Sequence, residues 1–162
     1  MVHTVRGGLD TVFLLFAEDD STQSALLALA CRKAGLGCSS YFICRDGAQL
    51  IDFVERAVPP NERFPLPTRI ITDLRMPLMD GFQALQQLRS RPVFSGVPIT
   101  LFSSGLTPEL RHCAEMFGAS EAIEKTMSFQ QLIEQVQRWA WPSRLSWSIH
   151  APGQRWLFDE IS

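Results

Sequence analysis

The sequence lacks paired cysteines. Its four, Cys31, Cys38, Cys44 and Cys113, make no CxxC spacing, which argues against a disulfide framework or a thiolate zinc site and fits a reducing, cytoplasmic setting. Charge of one sign is also scarce. Fifteen Lys and Arg face 17 Asp and Glu, for a net charge of −2, so no basic excess exists to neutralise a nucleic-acid backbone, and nucleic acid is not an expected partner. No apolar run reaches the roughly 18 residues of a membrane span, so no membrane partner is expected either. Residues 1–10 hold one Arg and two Gly without an apolar stretch, unlike a secretory leader. The three histidines, His3, His112 and His150, have no metal-ligand spacing. Internal repeats and low-complexity tracts are absent.

What is there suits a single globular domain. The chain has 162 residues, 46% of them apolar and 20% charged, and a domain of that size buries roughly 68–70% of its unfolded surface without a covalent staple. The apolar period alternates between sheet-like runs and helix-like spacing. Strands are predicted over 12–17, 39–44, 69–72, 97–103 and 122–125, and helices over 21–34, 48–58, 81–89, 108–117 and 128–140. Asp20 and Asp80 are expected to cap their helices, and Gly35 and Gly118 to stop theirs. The stretch Pro59-Pro60-Asn61-Glu62-Arg63-Phe64-Pro65-Leu66-Pro67 reads as a surface insertion, because proline breaks both kinds of element.

Strand–helix alternation implies an α/β fold, a doubly wound parallel sheet with helices on both faces. Such folds gather their functional residues at the carboxyl ends of the strands. Glu18-Asp19, Asp73, Ser103 and Lys125 stand where the apolar runs stop. Carboxylates about 4 Å apart repel by roughly 4 kcal/mol at an effective dielectric near 20, so a crevice holding Glu18, Asp19 and Asp73 needs a counter-charge. A hard divalent cation such as Mg²⁺ supplies it through oxygen ligands, and Lys125 with the Ser103 hydroxyl adds an anion-binding edge. Together they describe a place where a phosphoryl group could sit against a carboxylate.

The segments FLLFAEDDSTQ, IITDLRMPLMDGFQAL and VPITLFSSGLTPELRHCAEMFGASEAIEK resemble the receiver domain of two-component response regulators, in the family's motif order over residues 12–140. The DLRMPLMDG segment is the most specific part. Thirty residues from Asp73 to Ser103 and 22 from Ser103 to Lys125 agree with the family, and the proline-rich insertion accounts for a longer interval before Asp73. The resemblance implies a five-stranded, flavodoxin-like sheet of order 2-1-3-4-5. It makes Asp73 the phosphoacceptor, Asp19 a direct Mg²⁺ ligand, Glu18 a ligand acting through water, and the backbone carbonyl of Arg75 a further ligand. Ser103, in place of the commoner threonine, would turn toward the phosphoryl oxygen, and Lys125 would pair with it. The donor would be a histidine kinase or a phosphotransfer protein. A stored phosphoryl group makes the chain a signalling protein rather than an ordinary enzyme.

The sequence departs from the family at several positions. Thr126 replaces the proline that follows the lysine in a cis linkage. A non-proline cis bond costs about 3–4 kcal/mol, so the Lys125–Thr126 bond is expected to be trans. Ala122 stands where an aromatic ring usually swings inward on activation. Arg75 and Gly105 occupy positions that tune phosphoryl lifetime in the family. Thr126 and Ala122 favour an alternative reading, a receiver-shaped binding module without phosphorylation. A Mg²⁺-dependent phosphatase of the haloacid dehalogenase kind needs a DxD motif after the first strand, and Glu18-Asp19-Asp20 has the wrong spacing. A flavodoxin needs phosphate-cradling hydroxyls where this chain carries acids.

The expected organisation is an N-terminal arm over 1–11, a receiver domain over 12–141 with its insertion at 59–67, and an extension over 142–162. Too few residues follow for a DNA-binding domain, so a stand-alone receiver signalling through protein contact is expected. All four tryptophans, Trp139, Trp141, Trp147 and Trp156, lie in the last 24 residues. Leu145, Trp147 and Ile149 alternate, 151–154 reads as a turn and 155–158 as a returning strand. Residues 25–31 of the first helix are apolar at every position, more than one helix face needs. The tail, or that of a second copy in a homodimer, is expected to cover this excess.

Overall fold

The computed structural model describes residues 12–142. Its elements are β1 (Leu14–Ala17), α1 (Ser21–Lys33), β2 (Tyr41–Cys44), α2 (Gly47–Arg56), β3 (Arg69–Thr72), α3 (Gly81–Arg89), β4 (Ile99–Ser103), α4 (Pro108–Met116), β5 (Glu121–Glu124) and α5 (Phe129–Ala140). The strands form one parallel five-stranded sheet of order β2-β1-β3-β4-β5, as expected. A short 3₁₀ turn over Pro92–Phe94, not foreseen, sits between α3 and β4 and buries Phe94 completely. Strand and helix ends differ from the expected ones by up to two residues, the range over which helix ends fray.

Local chemistry accounts for the boundaries. The side chains of Asp20, Asp46, Asp80, Thr107 and Ser128 each accept a hydrogen bond from the backbone N–H three residues on, capping α1 to α5 in turn. Asp80 with Gln83 and Ser128 with Gln131 close reciprocal capping boxes. At the other end of α1, Gly35 has φ +98°, and the N–H groups of Gly35 and Leu36 return to the carbonyls of Arg32 and Cys31. That pairing satisfies carbonyls the helix leaves open, and a glycine reaches the conformation without strain.

Alternate residues of β1 face opposite sides of the sheet. Leu15 and Ala17 enter a core with Leu50, Val54, Leu85 and Leu88 from α2 and α3. Leu14 and Phe16 enter another with Leu27 and Ala30 from α1 and Val136 and Trp139 from α5. Trp139 meets Phe16 and Phe102 edge-on at centroid distances of 6.1 and 5.4 Å. A smaller cluster of Leu74, Leu101, Leu106 and Ala114 seats α4. The proline-rich insertion is anchored: Phe64 packs edge-on against Phe53 at 5.1 Å, and the Asn61 side chain accepts from the amides of Arg63 and Phe64.

Among the described residues the one cis peptide is Val58–Pro59, so Lys125–Thr126 is trans, as expected. No helix among them is long and apolar enough to cross a membrane. The expected hairpin at 145–158, the arm at 1–11, His3 and His150 lie outside the described residues.

Candidate functional site

Strand register assembles the site. Ala17 lies opposite Thr72 between β1 and β3, so the residues that follow, Glu18 and Asp73, leave the sheet side by side. Ser103 lies opposite Glu124 between β4 and β5, which delivers Lys125 to the same end. The amides of Glu18, Asp73 and Lys125 still bond the neighbouring strands, to the carbonyls of Cys44, Ala17 and Ser103, which fixes where each side chain begins. β1 and β3 are also where the strand order reverses direction, the place such sheets open a crevice.

Asp73 is held on both oxygens. Its Oδ1 accepts from Ser103 Oγ at 2.6 Å, from the Leu74 N–H at 2.6 Å and, more weakly, from the Arg75 N–H at 3.4 Å. Its Oδ2 lies 2.7 Å from Lys125 Nζ. The same ammonium is hydrogen-bonded to Glu18 Oε2. Glu18 Oε1 accepts from the Asp20 amide at 3.1 Å. The Glu18 side chain is 2% exposed, that of Lys125 8% and that of Asp73 12%, whereas Asp19 and Arg75 are exposed at the rim. Burial pushes the Glu18 carboxyl above its ordinary value, with hydrogen bonding and attraction from Lys125 opposing the rise. Lys125 Nζ also lies 5.5 Å from the centre of the Phe102 ring, within the range of a cation–π contact.

One oxygen from each of Glu18, Asp19 and Asp73 can be chosen so that all lie within 4.8 Å of one another. An all-oxygen, carboxylate-rich donor set of this kind suits a hard divalent cation, and the single ammonium between Glu18 and Asp73 leaves the acidic group with excess negative charge. The residues present therefore fit Mg²⁺.

The structure thus gathers Glu18, Asp19, Asp73, Ser103 and Lys125, with Arg75 adjoining them. Sequence reasoning missed the main-chain donors of Leu74 and Asp20, because a backbone N–H carries no residue-type signal. It also missed Arg111, which reaches from α4 to the Ala122 carbonyl on the strand that lacks the expected ring. His112 is exposed on α4, away from the acidic group in sequence and without a metal-binding cluster of its own among the described residues.

Comparison with known proteins gives this geometry a family. The sequence model of the response regulator receiver domain matches residues 14–137. Hybrid signal transduction histidine kinase D of Dictyostelium discoideum is 34% identical over 125 residues, which are 76% of this chain and 7% of that kinase. This chain therefore spans a small part of that relative's length. A probable methanogenesis regulatory protein, FilR2, of Methanothrix harundinacea is 22% identical over 128 residues, 79% of this chain and 81% of that one. Two solved structures share the fold. The Mn²⁺-bound form of response regulator Rcp1 superposes with a TM-score of 0.66 at 19% identity, covering 88% of this chain and 99% of that one. The chemotaxis response regulator CheY4 of Vibrio cholerae superposes with a TM-score of 0.66 at 22% identity, covering 80% and 98%. A sheet of order 2-1-3-4-5, an acidic hollow at its carboxyl edge and a family match over most of the chain agree: this protein belongs to the response regulator receiver domain family.

Proposed function

We propose that this chain takes a phosphoryl group from a phosphohistidine, on a histidine kinase or a phosphotransfer protein, onto the carboxylate of Asp73, and signals by protein contact. The observation that carries this reading is the convergence of a hydroxyl, an ammonium and two backbone N–H groups on one carboxylate beside two further acids. An oxygen of Asp73 attacks phosphorus, the new O–P bond forms as the N–P bond breaks, and the imidazole of the donor leaves. Negative charge spreads over the phosphoryl oxygens in such a transfer, and Lys125 and Ser103 are positioned to receive it. The Ser103 hydroxyl, which donates to Asp73 Oδ1 at 2.6 Å, transfers that bond to a phosphoryl oxygen in the product. Mg²⁺ would be held by Asp19, Asp73, the Arg75 carbonyl and, through water, Glu18, and it supplies neutralising charge to the transferring group.

The test is incubation of the full chain with acetyl phosphate and Mg²⁺, read by intact mass. Wild type gains the mass of one phosphoryl group, and Asp73→Asn gains none. A wild type that stays unmodified with both acetyl phosphate and a phosphorylated kinase overturns the reading.

A second reading, a receiver-shaped binding module that works without phosphorylation, draws on one feature. The strand position that usually carries the switching aromatic is Ala122, and Arg111 is tied to its backbone. An unmodified wild type that still captures a signalling partner would establish it.

A further inference from the structure

The first helix carries more apolar surface than the fold uses. Of its apolar run over 25–31, only Leu27, Ala30 and Cys31 are buried. Leu26 is 44% exposed, Ala25 is exposed, and Ala28 and Leu29 are partly so. Beside Leu26 lies a groove of about 270 Å³ between the opening turns of α1 and α5. Leu26, Leu27, Met127 and Leu132 form its apolar wall, with Ser104 and Lys125 at its polar end. Lys125 is the residue that holds Asp73, so this groove adjoins the acidic hollow.

The chain itself supplies an occupant of matching chemistry and reach. In a parallel sheet with right-handed crossovers, α1 and α5 both start at the carboxyl edge and end at the opposite edge. The last residue of α5, Ala140, shares a core with Ala30 and Cys31 of α1 and with Ala34, which caps that helix, so α5 ends beside α1. From Ala140 back to Leu132 is eight residues of helix, about 12 Å at 1.5 Å per residue. An extended segment covers that distance in about four residues at roughly 3.3 Å each. Residues 143–149 therefore reach the groove with length to spare, and Leu145, Trp147 and Ile149 alternate onto one side of an extended chain.

We propose that the chain's own segment 143–149 lies in the groove between α1 and α5, with its apolar side chains over Leu26 and Met127. The proposal stands independently of phosphoryl transfer, and its failure would leave that reading untouched.

The full chain labelled with 5-fluorotryptophan tests it. Four ¹⁹F lines are assigned with Trp141→Phe, Trp147→Phe and Trp156→Phe, the fourth, Trp139, by elimination. The Trp147 line is expected away from the position of free 5-fluorotryptophan, and Leu26→Glu returns it there while the buried Trp139 line stays in place. A paired Leu145→Ser, Ile149→Ser variant, which alters only the tail, is expected to do the same. A Trp147 line at the free position in wild type overturns the proposal, as does a displaced line that neither variant moves. A displacement lost on dilution together with a dimer-to-monomer change in light scattering also overturns it, by assigning the groove to a second copy's tail.

Discussion

Lys125 binds Asp73 through a 2.7 Å contact between Nζ and Oδ2, and the same ammonium is hydrogen-bonded to the still more deeply buried Glu18. One cation thus serves two carboxylates shielded from water, and removing it strands both. Breaking a buried ion pair from one side costs about 3–5 kcal/mol, because an uncompensated charge remains. Lys125→Met is expected to lose stability of that order in urea denaturation with a chelator present. Added Mg²⁺ should restore part of the loss, since it supplies the missing positive charge to the same oxygens. A midpoint unchanged from wild type in chelator would show that Lys125 does not hold the site together.

Glu18 gives a pH signature in metal-free buffer. Burial holds its carboxyl above the ordinary value of 4.5 despite Lys125, so the folded chain keeps the Glu18 proton to higher pH than the unfolded chain does. The stability this contributes is complete below the ordinary carboxylate value and is lost as pH rises through the raised one. Other carboxylates contribute their own slopes, so the informative quantity is wild type minus Glu18→Gln. That difference is expected to fall as pH rises from about 4, the ordinary Glu range. A difference that climbs with pH would mean that attraction to Lys125 outweighs the cost of burial.

The fold was legible because each level of the sequence agreed with the next. The run Leu14–Ala17 is apolar at every position and buried on both faces, as a central parallel strand requires. Asp20 and Asp80 announced their helices and cap them. The side chains of the site were legible because they end strands that register then aligns. Other features carried no such signal. The N–H of Leu74 donates to Asp73 Oδ1 whatever residue stands there. Asp46 caps α2 two residues before the predicted helix start, in a stretch where the apolar period alone marks no clear beginning. Arg111 reads as a solvated helix arginine until α4 is seated against β5 and brings it to the Ala122 carbonyl.

Gly81 sets how closely the loop after Asp73 can fold back on itself. Its amide bonds the Leu74 carbonyl at 2.8 Å. A Cβ at this position would stand 2.3 Å from the Asp73 carbonyl oxygen and 2.9 Å from the Leu74 Cα. Both obstacles are backbone, so relief requires moving the Asp73–Leu74 segment itself. Gly81→Ala is expected to cost roughly 1–3 kcal/mol or more, the usual range for overpacking a tight site, and to slow phosphorylation by acetyl phosphate in the variant that remains folded. Gly96, where an added Cβ meets nothing within 4 Å, is the matched control. Equal rates and equal midpoints for Gly81→Ala and Gly96→Ala would refute the argument.

The four cysteines should separate into two classes in thiol titration. Cys38 and Cys113 are exposed and Cys31 and Cys44 buried. Burial pushes the Cys31 thiol up to about 12, and burial together with Asp46 and Asp52 pushes Cys44 up to about 12. The thiolate is the attacking species, so at pH 8 the two buried groups present only about one reactive form in ten thousand by their acidity alone, before access is considered. Two thiols are expected to react rapidly with a disulfide reagent at pH 8 and two only as fast as the core opens. Denaturant should bring all four into one fast phase, since only the packed cores withhold the slow pair. Cys31 sits on α1 against the α5 core and Cys44 ends β2 on the opposite face, so their separate slow rates report the opening of the two sides of the sheet. A third fast thiol in the native protein would contradict the packing of one of those cores, and mass mapping would identify which.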